Sequence, residues 1–486
     1  MTQTQPSVRP DLLGVPTGAF IGGEWRTLAR TFTVDTPFDG SELAQVSDAG
    51  PAEAREAIEA AVAAFPAWKE DNFRRAELIH RWCDAIEAGT ASMARVMALE
   101  MGKPVAECRA EIGGGLLYIR YYADAARQLA GERLPSRFAH KRAMTRSEAV
   151  GVVYAVTPWN FPMSMIARKA GPALAAGCPM ILKPAEQSPL TALLLAELWR
   201  GVGGPAGTLQ VLATSQPAEF SAPFFEDARV RKITFTGSTE VGRRLYAQAA
   251  PTLKKVSLEL GGHAPTIVFA DADLELAVRE SMVAKFRNAG QTCITANRFY
   301  VHESVAGEFA ARFAEAAGQL RVGDPLDAAT DIGPLVDEQG HAKVSAHVQD
   351  AISRGATALT GGGSGGGRFF QPTVLSGVQP GTRLLQEETF GPVAPIVSFA
   401  SDEEAVRLAN DSEYGLAAYL FTRDLSRAFK VSEALEYGII GVNDGGPVGA
   451  APQAPFGGFK NSGLGKEGGH WGLEEYLQVK FVSFGV

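Results

Sequence analysis

The chain has 486 residues, with 46 Lys and Arg against 54 Asp and Glu and a formal net charge of −8. That balance, without any run of basic residues, excludes an electrostatic surface for nucleic acid. Hydrophobic residues make up 46% of the sequence, which is typical of a soluble globular protein. The length corresponds to about three domain-sized units.

The cysteines and the N-terminus predict the compartment. Cys83, Cys108, Cys178 and Cys293 are far apart and form no C-x-x-C pair or Cys/His cluster, so we expect a reducing environment and no metal site. The first 20 residues lack the charged start and apolar core of a signal peptide. No uncharged apolar run approaches ~18 residues, so we expect a cytoplasmic protein without a membrane span.

The predicted elements change character near residue 150. Before it, PAEAREAIEAAVAAFPAWKE and RRAELIHRWCDAIEAG have apolar residues three and four apart, which predicts helices. After it, short β-rich runs such as VGVVYAV, PMILKP and VRKITFT alternate with helical stretches. This alternation predicts parallel βαβ units and a doubly wound α/β sheet.

A second alternating series begins near residue 263. PTIVFA precedes a helix whose apolar ladder ends at Phe286, and the strands PIVSFA and AAYLFT follow. We therefore expect two α/β lobes, divided near residue 260, with a ligand cleft between them. The last residues, EEYLQVKFVSFGV, predict a strand that pairs with a distant element or another subunit. GGGSGGG, residues 361–367, predicts a flexible surface loop.

Cys293, in FRNAGQTC, is the first candidate for chemistry. The preceding helix is predicted to stop at Asn288–Gly290, which places the cysteine beyond the apolar ladder. Thr292 can cap a following turn, and a thiol near a helix N-terminus has a lowered pKa. The alternative is an inert, buried thiol. The residues alone leave both possibilities open.

Two further motifs lie at predicted strand ends. Glu259 ends the strand in SLELGGH, where α/β sheets bind ligands, and can act as a general base or be an exposed strand carboxylate. In KITFTGSTEVGRR, Gly237 and Ser238 join a strand to a helix whose N-terminus attracts phosphate. The alternative there is an ordinary βα turn.

Two polar loops complete the set. Asn160, in VTPWNFP, can donate hydrogen bonds to an oxyanion, although asparagine is more often a turn former. Lys183 and Glu186, in ILKPAE, can together hold ribose hydroxyls or can be separate surface charges.

Taken in order and spacing, TPWNFP, KPAE, FTGSTEVG, LELGG, GQTC and EETFGP resemble the aldehyde dehydrogenase superfamily over residues 17–486. ARKAGPALAAGC, KFRNAGQTCITANR and APFGGFKNSGLGKEG are most similar to its succinate-semialdehyde dehydrogenase branch. The resemblance implies an α/β fold with a Rossmann-like NAD(P)-binding domain (residues 1–127 and 147–260) and a catalytic domain (261–450). It also implies a β arm for oligomerisation (128–146 and 474–486), and so a homodimer or homotetramer.

The resemblance also implies catalytic roles. Cys293 would attack the aldehyde, and Asn160 with the Cys293 N–H would hold the resulting oxyanion. Glu259 would activate the water that hydrolyses the thioester, which argues against a CoA-acylating enzyme. Lys169 and Glu467 match positions proposed for proton relay.

The residues implied for the cofactor are spread over five segments. They are Thr157, Pro158, Trp159, Lys183, Ala185, Glu186, Gly237, Ser238, Leu260, Glu388 and Phe390. A carboxylate at Glu186 accepts hydrogen bonds from a ribose 2′-hydroxyl and repels a 2′-phosphate. It favours NAD over NADP, although Lys183 beside it keeps NADP possible.

Substrate choice is implied by Arg168 and Arg287, which match residues holding a distal carboxylate, with Phe161 and Phe456 beside them. We expect succinate semialdehyde, with glutarate or another ω-semialdehyde, or a neutral aldehyde, as alternatives. The chain departs from the branch at Thr295, often a second cysteine, at His263, and in the long 445–458 loop, which lacks the usual serine. From another class, a cysteine thioesterase or esterase would need a histidine beside Cys293.

Overall fold

The structure is a computed structural model that describes residues 14–448 and 451–486. The first 13 residues, part of the segment predicted not to be a signal peptide, and residues 449–450 of the 445–458 loop lie outside the described residues. Within the described ranges, no helix is long and apolar enough to cross a membrane.

The N-terminal region opens with short strands and continues with helices. The strands are β1 (Ala19–Ile21), β2 (Glu24–Arg26), β3 (Thr31–Asp35) and β4 (Glu42–Ser47). The helices are α1 (Pro51–Trp68), α2 (Asn72–Ala88), α3 (Thr90–Met101) and α4 (Val105–Ala126). The helical prediction for this region is confirmed, but it overlooked strands too short to show a clear alternation of apolar and polar residues.

Alternating strands and helices follow, as the sequence predicts. The strands are β5 (Arg133–Leu134), β6 (Lys141–Ala149), β7 (Val152–Val156), β8 (Met180–Lys183), β9 (Leu209–Val211), β10 (Val230–Thr236) and β11 (Lys255–Glu259). The helices are α5 (Pro162–Ala176), α6 (Leu190–Gly201), α7 (Pro217–Glu226) and α8 (Thr239–Ala249).

The C-terminal half contains a second alternating series. Its strands are β12 (Ala264–Val268), β13 (Ala296–His302), β14 (Thr357–Thr360), β15 (Ser364–Gly366), β16 (Phe369–Phe370), β17 (Thr373–Ser376), β18 (Val393–Phe399), β19 (Tyr414–Gly415), β20 (Ala417–Phe421), β21 (Ile439–Val442), β22 (Phe459–Lys460), β23 (Gly463–Leu464) and β24 (Leu477–Gly485). Its helices are α9 (Leu274–Phe286), α10 (Glu303–Gly318), α11 (Glu338–Ser353), α12 (Asp402–Asn410), α13 (Leu425–Ala434) and α14 (Gly469–Glu474).

The first large sheet has the order β2-β1-β9-β8-β7-β10-β11-β23. The five central strands, β9, β8, β7, β10 and β11, are mutually parallel. The edge strands β1, β2 and β23 are added antiparallel. The order reverses between β7 and β10, and such a switch point opens a crevice at the carboxyl ends of the strands. The loops after these two strands carry Asn160 and Ser238, so the doubly wound sheet brings two distant motifs to one edge.

The second large sheet has the order β14-β17-β18-β13-β12-β20-β21 and is parallel except at β14. Its core gathers Phe286, Phe299, Phe313 and Tyr419. Side chains of the first sheet alternate between two other cores, with Val153 on the face of α4 and α5 and Tyr154 on the face of α1 and α7. These helices cover both faces of that sheet, as a buried parallel sheet requires.

Strand pairing decides the predictions for the C-terminal strand and for GGGSGGG, which both lie outside the large sheets. The C-terminal strand β24 pairs antiparallel with β6 over their full lengths, so its partner is a distant element of the same chain. GGGSGGG is not a plain loop, because β15 pairs with β16 in a short exposed hairpin. The glycines hid the strand, since they carry no side chain on which alternation can show.

Candidate active site

Two cavities meet at Cys293. The first, of about 350 Å³, lies at the crevice between the sheets and is lined by Pro158, Trp159, Asn160, Met165, Thr236, Gly237, Ser238, Leu260, Gly261, Gln291, Cys293, Val336, Asp337, Gln339, Gly340, Lys343, Glu388, Thr389 and Phe390. The second, of about 310 Å³, is lined by Glu107, Ala110, Glu111, Gly114, Tyr118, Phe161, Ser164, Met165, Arg168, Arg287, Thr292, Cys293, Ile294, Val448 and Phe456. Cys293 alone among the cysteines is not fully buried.

Residues 287–292, which include strained backbone, place Cys293 where the two cavities meet. Helix α9 ends at Phe286, as predicted, and Asn288 and Ala289 then take left-handed φ angles of 52° and 53°. Two consecutive non-glycine residues in this region cost energy that the surrounding packing must offset. Gly290, at φ 72°, has no room for a side chain, because a Cβ there would lie 2.3 Å from the Gly391 oxygen.

The expected lowering of the Cys293 pKa is wrong. Thr292 opens a single turn, closed by a 3.0 Å bond from the Thr295 N–H to its oxygen, and β13 follows rather than a helix. Burial raises the pKa of the Cys293 thiol to about 12, and the nearby carboxylate of Glu388 adds to the rise. The resting thiol is therefore protonated at neutral pH.

Asn160 lies in the loop after β7 and is buried against the cysteine segment. Its side-chain Nδ2 donates to the Gln291 oxygen at 2.9 Å. A primary amide carries two N–H groups, so one donor remains for an oxyanion formed at Cys293. Because Asn160 and Cys293 line the same cavity, the structure brings the predicted nucleophile and donor together.

Glu259 ends β11 and is buried, and neither carboxylate oxygen has a hydrogen-bond partner among the described residues. Burial raises the pKa of this carboxyl well above its usual range, and Glu467 raises it further. Glu259 lines neither cavity. Its Oε1 would lie 3.0 Å from a Cβ at Gly457, so the end of the 445–458 loop passes directly against it.

The residues predicted for proton relay form a buried pair. Lys169 Nζ donates to Glu467 Oε1 at 2.5 Å and to Thr236 Oγ1 at 2.7 Å. The other Glu467 oxygen has no partner among the described residues. The carboxylate oxygens of Glu467 and Glu259 that lack hydrogen-bond partners among the described residues lie in one buried region, where water can bind to them.

The first cavity also contains a helix N-terminus. Ser238 caps α8 by accepting from the Val241 N–H at 3.3 Å. The first turn of a helix leaves backbone N–H groups without intrahelical partners and carries a partial positive charge. At this end the cavity therefore offers hydrogen-bond donors suited to a phosphate.

Nearer to Cys293, the first cavity is bounded by aromatic rings and a carboxylate. Trp159 and Phe390 meet edge to face with ring centroids 5.6 Å apart. Glu388 Oε1 accepts from the Gly262 N–H at 3.0 Å, and burial raises the pKa of Glu388 to about 7. A Cβ at Gly261 would lie 3.1 Å from the other Glu388 oxygen, so this position favours glycine.

Four residues expected at the cofactor do not line the cavity: Thr157, Lys183, Ala185 and Glu186. Lys183 and Glu186 instead form an ion pair, with 3.0 Å between Nζ and Oε2. Lys343 and Gln339, from the start of α11, line the cavity and were overlooked. In the sequence, Asp337 could have indicated the helix start that carries Gln339 and Lys343, because aspartate is a common helix-capping residue. Its side chain accepts from the Gly340 N–H at 2.8 Å.

The second cavity holds the two predicted arginines. The Arg168 guanidinium lies 4.8 Å from the Tyr118 ring centroid and 4.1 Å from that of Phe456, and its Nε has no partner among the described residues. Arg287 lies 5.2 Å over the Phe161 ring. Rings hold these guanidinium groups by cation–π contact and leave N–H groups open to an anion.

The requirement for a cysteine hydrolase is not met. Of the residues that the structure describes, no histidine lines either cavity. His263 is buried with its Nε2 3.1 Å from the Leu384 oxygen, and burial lowers its pKa well below the usual value. His302 caps the start of α10. Neither side chain can serve Cys293 as a base from these positions.

A doubly wound sheet with a helix N-terminus at one end of a cavity and a cysteine beside an amide donor at the other is the arrangement expected of a nucleotide-dependent enzyme with a thiol nucleophile. A model of the Aldehyde dehydrogenase family matches residues 25–482. The chain belongs to this family and is an aldehyde dehydrogenase. The fold class and the enzyme class expected from the motifs are therefore confirmed.

Several known proteins are similar over nearly the whole chain. A 3-sulfolactaldehyde dehydrogenase of Pseudomonas putida is 46% identical, over 96% of each chain. A succinate-semialdehyde dehydrogenase (NADP(+)) of Escherichia coli K12 is also 46% identical, over 96% of this chain and 98% of its own. The crystal structure of a succinate-semialdehyde dehydrogenase from Burkholderia pseudomallei is 46% identical, covers 99% of this chain and 100% of its own, and superposes with a TM-score of 0.95.

Proposed function

We propose that this enzyme oxidises an aldehyde carrying a second, anionic group to the carboxylic acid, with NAD(P) as hydride acceptor and succinate semialdehyde as the first candidate substrate. The observation that carries the proposal is the position of Cys293 between a cavity suited to a dinucleotide and one holding Arg168 and Arg287. The proposal extends to a cytoplasmic location and to the domain division inferred from the motifs.

The residues of the first cavity fit a nicotinamide dinucleotide. The N-terminus of α8 would hold the pyrophosphate, while Glu388, Lys343 and Phe390 would contact the nicotinamide riboside. When bound, the nicotinamide supplies a hydride acceptor. The Glu186 carboxylate supports NAD over NADP. NADP remains the alternative because Lys183 partly neutralises that carboxylate in an ion pair and because one relative is named as NADP(+)-dependent.

The reaction follows from the chain's own groups. The Cys293 thiol gives its proton to water and its sulfur bonds to the aldehyde carbon, while the free Asn160 amide N–H and the Cys293 N–H hold the oxyanion. Loss of hydride leaves a thioester on Cys293. Glu259 then takes a proton from water, which attacks the thioester and releases the acid. Lys169 and Glu467 would carry that proton away from Glu259.

The choice of substrate rests on charge. Arg168 and Arg287 bring two guanidinium groups to one cavity, which suits a carboxylate, and the relatives' names include an aldehyde with a sulfonate as well as one with a carboxylate. Glutarate semialdehyde would extend farther into the same cavity. Val448 of the altered loop also lines it, and this apolar contact favours a neutral aldehyde as the second candidate.

A homo-oligomer is part of the proposal. Val479 and Phe481 of β24 are 74% and 61% exposed, although they lie on a strand already paired with β6. An apolar exposed strand face of this kind favours burial against another subunit, as a dimer or tetramer.

The proposal is tested by following NAD(P)H formation over a panel of aldehydes with NAD and NADP in parallel. Succinate semialdehyde should have a higher kcat/KM than butanal, a neutral aldehyde of the same carbon number. Absence of reduction with every aldehyde would contradict the proposal. Equal efficiency for the charged and neutral aldehydes would remove the role assigned to the arginines.

Replacing Arg168 or Arg287 by leucine should raise the KM for succinate semialdehyde by roughly 10- to 100-fold, since a charge-assisted hydrogen bond contributes about 1.5–3 kcal/mol. The kinetics with butanal provide the control, because that substrate has no anion to lose. Arg109→Leu, an exposed position on α4, is a matched charge removal and should change neither substrate's kinetics. Equal losses on both substrates would show that the arginines support the fold rather than the anion.

Replacing Glu186 by serine should shift the ratio of kcat/KM values toward NADP by about tenfold or more. The change removes the carboxylate that repels a 2′-phosphate and frees Lys183, whose Nζ is now 3.0 Å from it. The measurement is initial rates with each cofactor at saturating aldehyde. Glu240→Ser, on the exposed face of α8, provides the control, and an unchanged ratio in Glu186→Ser would refute the assigned selectivity.

A further inference from the structure

Three charged residues spaced four apart, one just before α4 and two on it, lie behind the catalytic loops. Lys103, just before the helix, is 1% exposed, Glu111 is 7% exposed, and Glu107 lies between them in the wall of the second cavity. A charge ladder of this spacing usually lies on a solvated helix face. Here each member instead contacts a backbone or ring beside the site.

Lys103 and Glu111 hold the backbone at Asn160 and just after it, where α5 begins. Lys103 Nζ forms an ion pair with Glu111, donates to the Asn160 backbone oxygen at 2.9 Å, and lies 3.7 Å over the Phe161 ring. Glu111 Oε1 also accepts from the first backbone N–H groups of α5, at 2.9 Å. It supplies the capping oxygen that Phe161, the N-cap residue, lacks.

Asn288 ties the same loop to the cysteine segment. Its Nδ2 lies 3.0 Å from the Asn160 backbone oxygen and 3.2 Å from the Gln291 oxygen. Its own N–H donates to Glu107 Oε2 at 2.8 Å, at the point where φ is 52°. Glu107 therefore satisfies the backbone of the strained residue whose side chain contacts Asn160.

We propose that Asn288, held by Glu107, and Lys103 are positioning residues that fix the orientation of the oxyanion donor Asn160. The inference rests on the proposed attack by Cys293. The Asn160 backbone oxygen accepts from Lys103 and Asn288, and one amide N–H is bound by Gln291. These three bonds set the direction of the remaining amide N–H. A donor aimed in advance at the developing charge requires no reorganisation during attack.

The location of Glu107 supports this role. Its carboxyl lies in the wall of a cavity that holds Arg168 and Arg287 for an anion, where a negative charge opposes binding. Burial raises the pKa of Glu107, and the bond to the Asn288 N–H acts against that rise. The Glu107 carboxyl at this position is therefore explained by its hydrogen bond to the Asn288 backbone and not by contact with the substrate.

The test is the rate constant of the first turnover, measured by stopped-flow NAD(P)H formation at saturating substrates. Asn288→Gly keeps the left-handed backbone available and removes both side-chain bonds. It should slow the first turnover by roughly 10- to 100-fold, below the cost of deleting an oxyanion donor, and leave KM for the cofactor unchanged. Because the rate constant does not depend on the active fraction, partial misfolding does not imitate the effect.

A double-mutant cycle with Asn160→Ala separates positioning from a general structural role. If Asn288 acts through Asn160, Asn288→Gly should change the first-turnover rate by less than about twofold once Asn160 is alanine. Glu107→Gln keeps an acceptor oxygen and should retain the rate that Glu107→Ala loses. Arg109→Ala, exposed on the same helix, should match the unmodified enzyme.

Several outcomes would overturn the inference. Equal losses from Asn288→Gly in both backgrounds would show a structural role, and an unaffected first turnover would show none. If Asn160→Ala itself leaves the first turnover unchanged, the oxyanion assignment of the proposed function fails along with the inference. If Asn160→Ala slows the reaction and Asn288→Gly does not, the positioning inference fails alone.

Discussion

Cys293→Ala is expected to reduce aldehyde oxidation by roughly 10⁴-fold or more, the scale of loss when a covalent nucleophile is removed. The side chain lies where the two cavities meet, and no other cysteine lines either of them in the described ranges. The measurement is steady-state NAD(P)H formation with succinate semialdehyde, together with thermal unfolding to verify the fold.

Cys83→Ala is the matched control, because Cys83 is fully buried and lines neither cavity. It should retain activity while costing about 1 kcal/mol or more of unfolding free energy from the lost packing. The raised pKa of Cys293 also predicts that alkylation of the unliganded enzyme accelerates through the alkaline range, without levelling near neutrality. Turnover persisting in Cys293→Ala would rule out the thioester mechanism.

Glu259→Gln is expected to produce about one NAD(P)H per active site and then to slow by roughly 10²–10⁴-fold, the contribution of a general base. Glutamine keeps the size of the side chain but cannot take a proton from water, so the thioester accumulates. The measurement is stopped-flow absorbance followed by mass spectrometry of the acylated protein. Glu240→Gln, an exposed carboxyl on α8, is the control.

The pH dependence of hydrolysis should carry the signature of Glu259. A base acts when deprotonated, and burial together with Glu467 raises the pKa of Glu259 well above the usual carboxyl range. Hydrolysis should therefore fall as pH decreases through this raised pKa, while the first turnover follows a different profile. Full steady-state activity in Glu259→Gln, or identical profiles for both steps, would show that the base is assigned wrongly.

Much of the fold and site was predictable because the signals are local. Alternating strands and helices are encoded by apolar periodicity, and the carboxyl ends of parallel strands meet at one edge of the sheet. The structure accordingly places Asn160 and Ser238, which each follow a strand of the first sheet, at one edge of that sheet. The order of the motifs then predicted Cys293 as the nucleophile, and the family that this order implies is confirmed.

The remaining features depend on contacts between distant residues. The left-handed backbone of Asn288 and Ala289 is maintained by tertiary contacts, including the bond from Glu107. The sign of the Cys293 pKa shift followed burial, which outweighs the nearby guanidinium of Arg168, rather than a helix end. Lys103, Glu107 and Glu111 showed only the four-residue spacing of charges on a solvated helix surface, so nothing local marked Lys103 and Glu111 as buried.

The last 30 residues have a consequence for how the enzyme is made. Glu467 reaches Lys169 across 298 residues, and β23 closes the edge of the first sheet beside Glu259. During synthesis, Lys169 thus has no carboxylate partner until almost the whole chain has emerged, and loop closure over such a separation is slow. Premature termination anywhere before Glu467 would leave that lysine without its carboxylate partner, so only chains that extend past Glu467 can acquire the complete site proposed for hydrolysis.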